Sequence, residues 1–197
     1  MAYINRLGPP SNLAINPSLI TVTEGQVITA TCSATGNPNP TFEWRKLGSD
    51  DVISSSSVLT INNAQESHKG TYICKAINTM GSGEVQTTVT VHYKPKVTIK
   101  TTLVQGKKGH SVEIPCEFTS YPYATSVTWT KIVGGQSSQL NLNGNKYRGA
   151  TVNHPSLTIL DLQASDIADY RCSVLNTVDV GESTIGRVNV DLTGSSI

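Results

Sequence analysis

The chain has 197 residues, 37% hydrophobic and only 15% charged, a balance that excludes a disordered polyelectrolyte and a long coiled coil. The formal net charge is +1 with a pI near 7.7, so bulk electrostatics gives no reason to expect nucleic acid or an anionic membrane as partner. Thr, Val and Ile together supply 57 residues, punctuated by 16 Gly and 9 Pro, which favours many short strands and turns.

The apolar runs are far shorter than the roughly 20 residues that span a bilayer. Residues 1–6 lack the apolar centre of a signal peptide, and strand-like sequence ends at Asp191 and Leu192. Both features suggest a piece of a longer protein.

Apolar and polar residues alternate over 26–32, 41–45, 57–61 and 71–76, the period of half-buried strands. Turn signals separate these runs, among them Glu24-Gly25 and the proline-rich 36–40. A further strand is expected to end near His92, and Val97 and Ile99 read as the first inward positions of a second half. Between them Tyr93-Lys94-Pro95-Lys96 reads as a short linker, stiffened by the restriction that proline places on its own φ and on its neighbour. The pattern then repeats over 111–116, 126–130, 156–160 and 169–174, with Gly134-Gly135 and Asn143-Gly144 as turns. The alternation in 139–142 suggests an additional strand in the second half.

The four cysteines fall two per half. Cys32 is followed 12 residues later by Trp44, and Cys74 is preceded two residues earlier by Tyr72. Cys116 is followed 13 residues later by Trp129, and Cys172 is preceded two residues earlier by Tyr170. The only two tryptophans thus occupy matching places in an internal repeat. No CxxC pair occurs, which argues against zinc ribbons and thioredoxin-type sites.

In these residues the chain resembles the immunoglobulin superfamily over nearly its whole length. The resemblance implies an all-β fold: two tandem antiparallel β-sandwiches, over 1–94 and 95–197, joined by a short linker. It implies intersheet disulfides Cys32–Cys74 and Cys116–Cys172, core Trp44 and Trp129, and Tyr72 and Tyr170 as tyrosine corners. Asn78 and Gly81 look like an intermediate-set ending for the first domain. The second carries Asp166-Ile-Ala-Asp-Tyr-Arg-Cys172, the family's D-x-A-x-Y-x-C. In the family that Asp often pairs with an arginine, and Arg148 is the expected partner of Asp166. The first domain has His68 at the matching place, so no such ion pair is expected there.

The residues name no chemistry. His68, His92, His110 and His154 show no metal-ligand spacing, and no nucleophile elbow, P-loop or dinucleotide fingerprint is present. Neither an enzyme, nor a cofactor, nor a metal site is expected. Binding is the alternative. On the first domain's GFC face, in the family's lettering, alternation sends Glu43, Arg45, Ile73, Lys75 and Ile77 outward as a partner-binding patch, with Met80 at a loop tip as a second candidate. Tyr93, Pro95, Tyr121 and Tyr123 are read as interdomain packing. Lys96, Lys100, Lys107 and Lys108 could hold a sulfated glycan; a lysine-protected sheet edge is the plainer reading. The expected function is extracellular recognition or cell adhesion through a protein partner, homophilic binding included. The alternatives are soluble innate-immune recognition of microbial or glycan ligands, and a spacer pair in a larger multi-domain protein.

Overall fold

The computed structural model describes residues 6–192. Apart from two single-turn 3-10 helices its elements are all strands, and the chain divides into two compact units at His92/Tyr93.

The first unit comprises β1 (Gly8–Asn16), β2 (Leu19–Thr23), β3 (Ile28–Asn37), β4 (Thr41–Lys46), β5 (Val52–Ser54), β6 (Val58–Ile61), β7 (Gly70–Asn78) and the first part of β8 (Gly81–Thr98). One sheet runs β1-β3-β6; the other runs β8-β7-β4-β5, with β2 added beside β8. The second unit uses the end of β8 with β9 (Leu103–Lys107), β10 (Val112–Ile114), β11 (Glu117–Tyr121), β12 (Ser126–Val133), β13 (Gln136–Gln139), β14 (Tyr147–Gly149), β15 (Leu157–Ile159), β16 (Ala168–Leu175), β17 (Val180–Glu182) and β18 (Gly186–Asp191). Its sheets run β10-β15-β14 and β13-β12-β16-β18-β9, with β17 also on β16. Pairing is antiparallel except at β2–β8 and β9–β18, which are parallel. In each case an early strand that paired with one sheet's side of the chain crosses to lie along the last strand.

Alternation explains the cores. In β3, Ile28, Ala30 and Cys32 are buried while the intervening threonines are exposed. Trp44 is fully buried, next to Leu59, Tyr72 and Cys74. In the second unit Trp129, Leu157, Ile159, Tyr170 and Cys172 have no exposed surface. Disulfides join Cys32 to Cys74 and Cys116 to Cys172, with Cα atoms 6.4 and 6.6 Å apart, within the range a bridge needs.

Three expectations about elements change. Residues 93–96 are not a loop: they lie in β8, and Tyr93, Lys96 and Val97 pair with Tyr121, Thr119 and Phe118 of β11. The second unit's extra strand is β13 at Gln136–Gln139, not 139–142. Gly134 and Gly135 both take positive φ, so a two-residue turn sets Gln136 directly opposite Val133, as such turns do in hairpins. Leu140 and Leu142 turn back against the core instead. The first unit also has an equivalent strand, β5, which the sequence did not reveal.

Candidate functional site

Each unit builds the same scaffold from matching side chains. Tyr72 Oη donates to the His68 carbonyl at 2.9 Å, and Tyr170 Oη donates to the Asp166 carbonyl at 3.0 Å. Trp44 Nε1 donates to Ser57 O and Trp129 Nε1 to Pro155 O. Lys46 Nζ and Lys131 Nζ reach the carbonyls of Ser67 and Ser165, both at 2.6 Å. Four residues after each second cysteine stands an asparagine. Asn78 Nδ2 donates to Gly8 O and Pro38 O; Asn176 Nδ2 donates to Tyr93 O, Pro122 O and Ser120 Oγ. Their Oδ1 atoms accept from Met80 N–H, and from Val178 and Asp179 N–H. The first strand and the turn before the Trp strand are thereby tied to the turn after the second cysteine.

The ion pair expected for Asp166 forms with a different residue. Lys146 Nζ lies 2.5 Å from Asp166 Oδ2, and Arg148 does not reach it. Lys146 sits at the end of the β14–β15 ladder, where its carbonyl accepts Leu160 N–H and its ammonium also donates to Asp161 O. Arg148 lies opposite Thr158, two residues further from that end. Its Nη1 donates to Gly144 O and Tyr147 O. Asp166 Oδ2 also accepts Gln163 N–H at 2.8 Å. In the first unit His68 Nδ1 takes that place, accepting Gln65 N–H at 2.9 Å. The buried carboxylate has an electrostatic effect. Tyr147 is pushed above its ordinary pKa by burial and then by the Asp166 charge. Tyr170 is raised by burial, then by Tyr147 and Asp166.

The outer surface of the β8-β7-β4-β5 sheet is the candidate binding face. Register fixes its rows. Val52, Arg45, Ile73 and Gln86 stand in line across four strands; Glu43, Lys75 and Glu84 form the next row. Arg45 Nη2 meets Glu84 Oε1 at 2.6 Å, an ion pair that reaches across β7 between Ile73 and Lys75. That closure corrects the expectation of an exposed Ile73: it is only 5% exposed, flanked by Arg45 and Gln86. Ile77 is half-buried in the row of Thr41 and Ser82. The exposed apolar side chains of this surface are Leu47 and Val52, at 57% and 53%. Leu47 was legible, because it continues the outward parity of Glu43 and Arg45. Val52 required knowledge of β5. Beside it the edge of β6 is capped locally: the Ser54 and Ser56 hydroxyls donate to Val58 O, and Ser56 Oγ accepts Val58 N–H.

The other sequence candidates lie apart from that face. Met80 is 46% exposed at the β7–β8 turn. Tyr93 is 7% exposed and Pro95 buried within the second unit. A Cβ on Gly181 would fall 1.8 Å from the Pro95 carbonyl oxygen, so only glycine fits there. Tyr121 is half-buried, while Tyr123 is 85% exposed. Of the lysines, Lys96 Nζ stands 4.7 Å from the Tyr93 ring centroid and Lys100 pairs with Glu117 at 2.8 Å. Lys107 ends β9, and Lys108 follows it in the turn. Among the described residues no group of three His, Cys, Asp or Glu is placed to hold a metal ion. No helix among them is long and apolar enough to cross a membrane.

Paired sandwiches, each with an intersheet disulfide, a Trp packed beside it and a tyrosine corner, define an immunoglobulin-type protein. A family model for the immunoglobulin domain matches residues 9–78 and 94–176, and the chain belongs to that family. Among similar proteins, mouse neural cell adhesion molecule 1 (Mus musculus) is 29% identical over 183 residues, covering 86% of this chain and 16% of that protein. The mouse basement membrane-specific heparan sulfate proteoglycan core protein is 28% identical over 178 residues, covering 87% of this chain and 4% of that protein. Human peroxidasin homolog is 28% identical over 186 residues, covering 88% and 12%. The chain therefore spans a small part of these relatives. Among solved structures, the complex of Dpr2 Ig1-Ig2 with DIP-Theta Ig1-Ig3 aligns with a TM-score of 0.62 at 22% identity, over 92% of this chain and 65% of the other. A titin I-band fragment aligns at 0.60 and 24% identity, over 92% and 66%.

Proposed function

We propose that the chain is a non-enzymatic, extracellular adhesion module that binds a protein partner through the outer β8-β7-β4-β5 face of its first unit, and that a second copy of the chain is the favoured partner. The observation that carries this reading is the pairing of exposed Leu47 and Val52 with a charge lattice of two acids and two bases, Glu43, Glu84, Arg45 and Lys75. Equal numbers of opposite charges on one surface suit an isologous contact, in which the patch meets itself. Two half-exposed aliphatic side chains give such an interface an apolar centre with a polar surround. Similarity to a neural cell adhesion molecule supports the adhesion reading. The two disulfides support an oxidising, extracellular setting.

Beads coated with the chain provide the test. Clustering that soluble chain inhibits, and that Leu47→Asp with Val52→Asp abolishes, is the expected result. Beads that stay dispersed at every coating density would overturn the homophilic reading and direct attention to a different protein as partner.

A further inference from the structure

We propose that Asn143 is a site of spontaneous deamidation, with the backbone nitrogen of Gly144 as the attacking group. The turn between β13 and β14 holds the only one of the chain's fourteen asparagines that is followed by glycine. Both residues are exposed and outside any strand. The single hydrogen bond at Asn143 uses its backbone N–H, which donates to Asn141 Oδ1 at 3.0 Å; its own side-chain amide is not engaged. A Cβ on Gly144 would meet nothing within 4 Å. The backbone nitrogen therefore approaches the side chain from open space, and glycine supplies the conformational freedom to reach it.

The reaction needs water alone. The Gly144 nitrogen attacks the Asn143 Cγ and loses its proton as a C–N bond forms. The Cγ–Nδ2 bond breaks and ammonia leaves, giving a five-membered succinimide. Water then opens either of the ring's two carbonyls, yielding aspartate or isoaspartate. The other asparagines are held back by identifiable features. Asn16, Asn37 and Asn39 precede prolines, whose nitrogen carries no hydrogen to lose. The amides of Asn78 and Asn176 are committed to backbone carbonyls.

Deamidation would bring the formal net charge from +1 to zero. It would set a carboxylate one residue from the Gly144 carbonyl that Arg148 Nη1 holds at 3.2 Å. The inference concerns the second unit and does not depend on the binding face proposed above.

The test is to incubate the folded chain at neutral pH and body temperature, then follow it by ion exchange and peptide mapping. An acidic species should accumulate, carrying a one-dalton gain at Asn143 as both aspartate and isoaspartate. Its rate should rise with pH, fall roughly tenfold in Gly144→Ala, where the backbone is stiffer, and vanish in Asn143→Gln. An Asn143 that stays intact in the folded chain while the denatured chain deamidates would overturn the proposal. So would an acidic species mapping to another asparagine.

Discussion

Asn176 and Tyr93 are 83 residues apart in sequence, yet the asparagine's amide holds the tyrosine's carbonyl at 2.8 Å in a site where only 3% of the asparagine is exposed. One side chain thereby satisfies carbonyls from the start of the unit and from the turn at Pro122, and caps the turn that follows β16. Asn78 performs the same service in the first unit with Gly8 and Pro38.

Removing such a donor leaves buried carbonyls without partners, which costs about 1–3 kcal/mol per group. Asn176→Ala is expected to destabilise the second unit by roughly 2–4 kcal/mol on that basis, and Asn78→Ala, in a wetter site, by less. Chemical unfolding followed by the single tryptophan of each unit, with the other replaced by phenylalanine, would read the two effects separately.

The Lys146–Asp166 pair yields a contrast with Arg148. Lys146→Ala leaves a carboxylate whose side chain is 3% exposed with one N–H donor and should cost roughly 3 kcal/mol. Arg148→Ala removes contacts of an exposed side chain with nearby carbonyls, worth about 0.5 kcal/mol. Equal losses in thermal unfolding would contradict the assignment of Lys146 as the partner.

Alkaline conditions should find the second unit first. Tyr170 is wholly buried, and burial together with Tyr147 and Asp166 raises its pKa. The folded state therefore keeps a proton that the unfolded tyrosine loses near pH 10. The sign follows from linkage: with more protons bound in the folded form, stability is full below about pH 10 and falls as pH rises beyond it. Tyr170→Phe should flatten that fall while lowering stability at neutral pH, because the bond to the Asp166 carbonyl is lost. Unfolding midpoints taken between neutral and strongly alkaline pH would show it.

The serines beside β6 guard a sheet edge. Their hydroxyls occupy the outward N–H and C=O of Val58, groups that would otherwise template another strand. Replacing Ser54 and Ser56 together by Ala should leave the core intact and increase irreversible association on heating. Light scattering during a thermal ramp checks this.

The fold was readable because the repeat places Cys, Trp, Cys and Tyr at matched intervals, and because alternation separates Thr from Ile and Val in strands such as β3. What escaped reading depended on tertiary reach. Lys146 and Arg148 share a strand face, and only the end of the β14–β15 ladder decides which meets Asp166. Parity sent Ile73 outward, but an ion pair between its neighbouring strands covers it. A three-residue strand such as β5 carries too few residues to show a period, so Val52 went unseen. His68 was marked as a departure from the repeat, and its Nδ1 accepts the bond that the Asp166 carboxylate accepts in the second unit.

The most direct measurement is sedimentation of the chain over about 1–200 μM, a range that spans weak protein contacts, for the wild type and for Val52→Asp. The account predicts a reversible dimer in the wild type and a monomer of unchanged fold in the variant, because a carboxylate at a site 53% exposed in the free chain disturbs association without reaching the core. A wild type that stays monomeric throughout, or a dimer indifferent to Val52→Asp and Leu47→Asp, would contradict the claim that this face binds a second copy.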